Sequence, residues 1–166
     1  MNATEIMVRM GELAGSRDAG DVLVAIGLGS CIGLALIDRK RPIAGLAHVM
    51  LPASPSGDVD SPGKFADLAV PSLREHLASL GATPSRLDAV LVGGAQMFSF
   101  GQNGGSRLDV GARNEEAVRA ALDDARIPVR ATATSGKTGR TMRVTVDAGV
   151  VLVKEAGQPA AELFTR

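Results

Sequence analysis

The hydrophobic positions of the chain fall into short apolar runs that predict strands separated by glycine-rich or polar turns. The run from Asp21 to Leu28 first alternates and then becomes continuously apolar, which is typical of a strand buried on both faces. Further strands are predicted over Cys31 to Asp38 and over Ile43 to Leu51, with the polar segment 38–42 as the turn between them. Because these connections are short, the three strands are expected to form an antiparallel meander.

Two longer segments carry apolar residues at helical spacing. The first runs from about Lys64 to Leu80, where Pro71 predicts a kink or a split and Gly81 is expected to end the helix. The second begins at Asn114, which is a favourable N-cap residue, and ends before Pro128. Two helices are therefore expected.

The remaining apolar runs complete a mixed α and β fold with six or seven strands. The length of 166 residues suits one domain, with a core over about 21–155 and a flexible C-terminal tail over 156–166. Two irregular segments, 52–63 and 95–111, are predicted to be exposed loops, and loops of this length often carry function. The later strands are predicted over Ala89 to Gly94, Val129 to Ala133, Thr141 to Val146 and Val150 to Lys154.

The composition excludes several classes of function. Lys and Arg total 18 and so do Asp and Glu, and aromatic residues make up only 2% of the chain, whereas nucleic-acid binding requires a basic face or stacking rings. A single Cys excludes a disulfide framework and a cysteine-rich zinc module. The longest apolar stretch, Val22 to Ile37, is interrupted by glycines, so no membrane insertion is expected. Without a recognisable secretory signal, a cytoplasmic protein is predicted.

The lone cysteine, Cys31, lies among small residues at a strand junction. Gly29 and Ser30 precede it, so the backbone there can turn sharply, and its N–H groups could stabilise an oxyanion. A thiol in this position could act as a nucleophile. The alternative is a buried structural cysteine, which is a common fate of this residue type.

His48 is expected near the end of the strand that pairs with the strand beginning at Cys31. Through the short turn between these strands the two side chains can face each other, as a Cys–His pair requires. The alternative is a histidine buried in the core with its hydrogen bonds satisfied. His76 lies on the first predicted helix and is expected at the surface. A zinc site would need three or four ligands, so no metal is expected.

A series of short motifs follows a fixed order from about Asp21 to Glu155. The motifs are Gly29-Ser30-Cys31, Gly45-x-x-His48-x-Met50-Leu51-Pro52, Lys64-Phe65-Ala66-Asp67, Gly93-Gly94-Ala95-x-Met97-Phe98, Gly111-Ala112-Arg113-Asn114 and Ser135-Gly136-Lys137-x-Gly139-Arg140. Together they resemble the chemoreceptor glutamine deamidase family, CheD.

The resemblance implies hydrolysis of glutamine side-chain amides on methyl-accepting chemotaxis receptors, giving glutamate and ammonia without a metal or an organic cofactor. By position, Cys31 is the implied nucleophile and His48 the implied general base. Some family members also bind the phosphatase CheC. The implied fold is a layered β-sandwich flanked by helices, like the catalytic domain of cytotoxic necrotizing factor toxins.

Two positions depart from the family pattern: Ser135 stands in place of a glycine in the last motif, and Ala25 concerns the site. The family usually carries a threonine that orients the histidine where this chain has Ala25. Either the backbone carbonyl of Ala25 orients His48, as a backbone carbonyl does in the related toxins, or the protein is a weakened enzyme. A weakened enzyme would act as an adaptor that binds chemoreceptors or a CheC-type phosphatase. A third interpretation is a different cysteine hydrolase, such as a receptor methylesterase or a peptidase.

Overall fold

The computed structural model describes residues 4–55, 60–97 and 109–166, which form ten strands and two α-helices. Parts of both predicted loops, residues 56–59 and 98–108, lie outside the described residues. The helices are α1 (Ala66–Ser79) and α2 (Val110–Asp124), and short 3-10 turns lie at Pro62–Lys64 and Pro84–Arg86. The strands are β1 (Thr4–Met7), β2 (Leu13–Ser16), β3 (Asp21–Leu28), β4 (Ile32–Asp38), β5 (Ala44–Val49), β6 (Leu87–Gly93), β7 (Val129–Thr134), β8 (Arg140–Thr145), β9 (Val150–Glu155) and β10 (Ala161–Thr165).

The strands form two five-stranded sheets that share a core. The first sheet has the order β1-β3-β8-β9-β10, and the second has the order β2-β5-β4-β6-β7. Strand β4 shows the layering, because Leu34 and Leu36 pack on the helices whereas Ala35 and Ile37 pack toward the first sheet. Every residue of β4 is therefore buried, and the fold is a two-sheet sandwich with helices on one outer face. The predicted fold class is confirmed.

The predicted meander is wrong at its first connection. Strands β4 and β5 do pair antiparallel, with Ile32 opposite Val49 and Gly33 opposite His48, but β3 belongs to the other sheet. The chain crosses between sheets through the turn after Leu28, which follows an irregularity in β3 where Gly27 has a φ of +72°. Because β3 and β4 both present apolar residues to the shared core, they pack face to face and do not pair edge to edge.

The helices differ from prediction in two details. Helix α1 is not split at Pro71, which lies on its exposed side. Helix α2 begins four residues before the predicted N-cap, since Asp109 caps it by accepting a hydrogen bond from the Ala112 N–H at 2.9 Å. Asn114 is therefore an interior residue of the helix and is fully buried. Neither helix of the described residues combines the length and the apolar character that crossing a membrane requires.

The sheets extend beyond the predicted core at both ends of the chain. Strands β1 and β2 precede residue 21, and β10 pairs antiparallel with β9 inside the segment predicted as a flexible tail. The guanidinium of Arg166 holds this end by donating hydrogen bonds to the backbone carbonyls of Asp38 (2.7 Å) and Asp147 (2.6 Å). These strands have only four or five residues, which is too short for local periodicity to reveal them, and the partners of β1 and β2 lie further along the chain.

Candidate active site

Cys31 and His48 lie on the same face of the second sheet, at the same end of their strands. The side chain of Cys31 belongs to the core between the sheets, two residues before Gly33, and Gly33 is the register partner of His48. Ala44 and Leu46, which alternate with the other residues of β5, face the same core, so His48 continues that series. Cys31 and His48 are thus diagonal neighbours just past the last residue pair of β4 and β5, a relation that corresponds to about 7–8 Å in a regular sheet.

The His48 ring is fixed by a backbone carbonyl. Its Nδ1 lies 3.0 Å from the carbonyl oxygen of Val8, and only 1% of the residue is exposed. A carbonyl oxygen can only accept a hydrogen bond, so Nδ1 carries the proton of the neutral imidazole and donates a hydrogen bond to the Val8 carbonyl. The other nitrogen, Nε2, is buried and has no hydrogen-bond partner among the described residues. Within the described ranges, the basic nitrogen of His48 thus accepts no hydrogen bond.

The carbonyl on the His48 ring belongs to Val8, not to Ala25. The Val8 N–H donates to the Val24 carbonyl at 2.8 Å, which extends the pairing of β1 with β3 by one residue. This pairing places the carbonyl of Val8 beside the His48 ring. Ala25 pairs with Met142 in the first sheet, and its methyl group is fully buried in the shared core. Sequence reasoning missed Val8 because it did not predict β1. The available signal was the alternation of β-branched residues at Thr4, Ile6 and Val8.

Burial favours the neutral forms of both side chains. It lowers the pKa of His48, opposed by the hydrogen bond to Val8 and by the negative charge of Glu12. Burial also raises the pKa of the Cys31 thiol. At neutral pH the resting site therefore holds a neutral thiol and a neutral imidazole, so a thiolate at Cys31 would require a base to take its proton.

Stability is expected to decrease as the pH falls below about 6.5, the ordinary pKa of histidine. In that range the unfolded chain protonates at position 48 while the folded protein, with its lowered pKa, does not. The unfolded state then binds more protons, so a limiting slope of about 1.4 kcal/mol per pH unit is expected from this residue. Urea unfolding across this pH range should give a shallower slope for the His48→Asn variant. Equal slopes would contradict a buried, neutral His48.

The turn before Cys31 is held by the backbone of the segment after β6. The Gly94 N–H donates to the Cys31 carbonyl at 2.9 Å, and the Ala95 N–H donates to the Gly29 carbonyl at 2.8 Å. The Gly29 N–H itself donates to Gly27 at 3.0 Å. Among the described residues, the N–H groups of Ser30 and Cys31 donate to no backbone carbonyl. These two groups are thus the backbone donors available beside the thiol.

Gly93 leaves room for the Cys31 carbonyl. Its φ is +111°, and a Cβ there would overlap the Cys31 carbonyl oxygen. Gly93→Ala is therefore expected to cost about 2–4 kcal/mol of unfolding free energy. Gly157→Ala is the matched control, because Gly157 also has a positive φ (+79°) but a Cβ there would have no atom of the described residues within 4 Å. The control should lose about 1 kcal/mol in urea unfolding. Equal losses in the two variants would mean that the Cys31 carbonyl exerts no constraint.

Asn114 also contacts the turn before Cys31. Its Nδ2 donates to the carbonyls of Ser30 and Met50, both at 2.9 Å, and its Oδ1 is buried without a partner among the described residues. The sequence does contain a signal for this residue, because Asn114, Val118 and Leu122 share one helix face, which marks 114 as a polar position on a buried stripe.

His76 lies apart from this site. It is half-buried on α1 and packs over Gly15 of β2, where a Cβ would lie 2.9 Å from the imidazole Cδ2. This is the helix side of the second sheet, whereas Cys31 faces the other sheet. Among the described residues, no group of three or more His, Cys, Asp or Glu side chains is arranged to hold a metal ion.

The chain is similar to a family of known proteins. Residues 50–155 match the family model described as CheD chemotactic sensory transduction. A "probable chemoreceptor glutamine deamidase CheD" of Clostridium novyi is 43% identical over 136 residues, which cover 81% of this chain and 83% of the relative. The protein with the same description in Clostridium botulinum strain Hall is 40% identical over 164 residues, covering 98% of this chain and all of the relative. The chain belongs to the CheD family. The predicted resemblance is confirmed.

The CheD family match and the relatives cover different parts of the site. The matched segment begins after His48 but includes Gly93 and Asn114, whereas the alignment with the Clostridium botulinum CheD spans nearly the whole chain.

Among solved structures, Neisseria meningitidis protein NMB0706 aligns with 82% of this chain and 64% of its own, at 11% identity and a TM-score of 0.48. The likeness to the toxin catalytic domains stays a prediction.

Proposed function

We propose that this CheD-family protein is a protein-glutamine deamidase that converts glutamine side chains of chemotaxis receptors to glutamate and releases ammonia. Curated relatives are described as probable chemoreceptor glutamine deamidases. The observation that carries the proposal is the state of His48. Val8 holds its Nδ1, and the basic Nε2 is buried on the face that also bears the Cys31 thiol, with no hydrogen-bond partner in the part of the chain that the structure describes.

The first half of the proposed reaction transfers the acyl group to Cys31. His48 Nε2 takes the thiol proton, and Sγ attacks the carboxamide carbon of the glutamine. The N–H groups of Cys31 and Ser30 are the proposed donors to the oxyanion; the Gly29 N–H, also a candidate from the sequence, already donates to Gly27. His48 returns the proton to the leaving nitrogen, so ammonia departs and a thioester remains.

The second half hydrolyses the thioester. His48 Nε2 takes a proton from a water molecule whose oxygen attacks the thioester carbon, and the same N–H donors hold the second oxyanion. The carbon–sulfur bond breaks, the proton passes to Sγ, and the product is a glutamate side chain. Atoms and protons balance with water as the only co-reactant, so no step needs a metal or an organic cofactor.

The surface beside the thiol offers apolar contacts to a protein substrate. Met97 is 43% exposed and lies over Gly29, where a Cβ would be 2.9 Å from the Met97 Cγ. Ile26, at the adjacent end of β3, is 56% exposed. The two predicted loops, 52–63 and 95–111, stay the proposed contacts for the receptor.

Ala25 is the feature that favours the adaptor interpretation, because its methyl group cannot donate to or accept from His48. The Val8 carbonyl supplies the same orienting contact from the neighbouring strand, at 3.0 Å. A catalytic histidine needs one such partner to hold its tautomer, and the chemistry of a carbonyl oxygen suits that role. We therefore favour the enzyme over an adaptor for receptors or a CheC-type phosphatase.

The test is incubation of the protein with cytoplasmic fragments of chemotaxis receptors, followed by peptide mass spectrometry. Glutamine residues are expected to acquire the mass of glutamate, with stoichiometric release of ammonia. Correctly folded protein that leaves every glutamine unchanged would contradict the proposal. A glutamine peptide and its glutamate methyl-ester counterpart should be compared in parallel. Preferential ester cleavage would point to a methylesterase.

A further inference from the structure

We propose that Asn114 is a positioning residue of this active site, whose single side-chain amide fixes the spacing between Cys31 and His48. Its Nδ2 donates to the Ser30 carbonyl, directly before the thiol, and to the Met50 carbonyl, two residues after the imidazole. Both distances are 2.9 Å, and Asn114 is fully buried. One planar group thus joins the two chain segments that bear the reacting side chains.

The orientation of the amide follows from its neighbours. Two carbonyl oxygens can only accept, so the NH₂ end must face them and the Oδ1 must point away. The Met50 N–H is already used, since it donates to the Lys64 carbonyl at 2.8 Å. The Met50 carbonyl is therefore the group through which this segment can be tied to the nucleophile turn.

Asn114 continues the strand pairing at the point where the regular pairing ends. Strands β4 and β5 pair in register up to Ile32 opposite Val49. Beyond that pair the chains lead into the Cys31 turn on one side and the Met50 segment on the other. The bridging amide joins the carbonyls just past the last pair, so it restrains the diagonal distance from Cys31 to His48.

The contacts of the Asn114 side chain come from its two donors and not from its acceptor. The Oδ1 is buried without a hydrogen-bond partner among the described residues. A leucine has the same branched shape, with a larger volume and no polar atoms, on a helix face that otherwise carries Val118 and Leu122. Leucine cannot supply two hydrogen-bond donors in one plane. We therefore assign to Asn114 the role of holding the Ser30 and Met50 carbonyls in place.

The first test measures steady-state deamidation by the Asn114→Leu variant, and this arm rests on the proposed function. A displacement of the thiol relative to the imidazole should lower kcat by about 100-fold and change KM by less than about threefold. Asn114→Ser keeps one donor and should fall between Asn114→Leu and wild type. Val118→Ala is the matched control, since it creates a cavity on the same helix face but leaves the amide in place. It should lower the melting temperature and leave kcat unchanged.

The second test needs no substrate and so separates failure of this inference from failure of the proposed function. The rate of Cys31 alkylation by iodoacetamide is measured in wild type, Asn114→Leu, His48→Asn and the double variant. Asn114→Leu should slow alkylation in the wild-type background, where His48 assists loss of the thiol proton. In the His48→Asn background it should have no further effect, because the assisted step is already lost.

Either of two results would overturn the inference. One is an alkylation rate within about twofold of the wild-type rate for both Asn114→Leu and Asn114→Ser. Misplacement of the thiol relative to the imidazole should instead lower the rate by up to about 100-fold. The other is equal slowing by Asn114→Leu with and without His48, which would indicate a general structural role. If Asn114→Leu does not fold, Asn114→Ser alone carries the cycle. Coupled alkylation rates without any deamidation would support the positioning role and contradict the proposed function.

Discussion

Replacing Cys31 with alanine is expected to lower kcat for glutamine hydrolysis by at least about 10³-fold, because the reaction then has no nucleophile. The fold should persist, since the change removes one sulfur atom from a residue that is only 9% exposed. The loss in unfolding free energy should be about 1 kcal/mol. Glutamate formation on receptor fragments measures the first effect, and urea unfolding measures the second.

Val151→Ala is the matched control for Cys31→Ala. Val151 is fully buried in the same core between the sheets, but it lies on β9 and takes no part in the site. Its truncation should reduce stability and leave kcat within about twofold, since a mutation remote from the reacting atoms does not alter the transition state. Full activity of Cys31→Ala would contradict the thioester mechanism. A normal cellular effect of an inactive Cys31→Ala protein would instead support the adaptor interpretation.

Replacing His48 with asparagine is expected to lower kcat/KM by about 10²–10⁴-fold, the usual contribution of a general base. Asparagine is the most informative choice because its side-chain NH₂ group can replace the Nδ1–H of His48 as the donor to Val8. In wild type, Nδ1 lies 3.0 Å from the Val8 carbonyl oxygen. The variant should therefore fold and retain Cys31 in place. Its residual activity measures what the thiol can do without a base.

The pH dependence of the two proteins should differ in a defined direction. In wild type, kcat/KM should decrease only at a pH below about 6.5, because burial lowers the pKa of His48 and keeps its base form to lower pH. In His48→Asn the thiol must ionise unaided, and burial raises the pKa of Cys31 above its ordinary value of 9.0. The rate of the variant should therefore continue to rise above that pH. A variant that keeps the wild-type profile would exclude His48 as the base.

The sequence was informative wherever a structure depends on near neighbours. Strand β3 has the predicted bounds Asp21–Leu28, and β4 begins one residue after the predicted start at Cys31. Helix α1 lies within the predicted segment because its buried residues recur at helical spacing over 14 residues. The chemistry was also local: a cysteine among glycines and a histidine on the paired strand predicted the two residues that the structure places on one face.

The sequence was uninformative wherever a contact joins distant segments. Sequence spacing gives no indication that β3 and β4 lie in opposite sheets, since a short turn suits a hairpin as well as a crossover. The tail after Glu155 was predicted to be flexible, yet β10 pairs with β9 and Arg166 reaches Asp38. Short edge strands gain their stability from partners, so their own periodicity is weak.

The sequence by itself determined the candidate reactive groups, the central strands and helices, and membership of the CheD family. Only the tertiary structure decided which backbone and amide groups surround the reactive pair. Val8 is 40 residues from His48, and Asn114 is 84 residues from Ser30. Residue type and local spacing define what an imidazole or a thiol can do. Its tautomer, pKa and position depend on groups that meet it only after the two sheets and α2 have packed together.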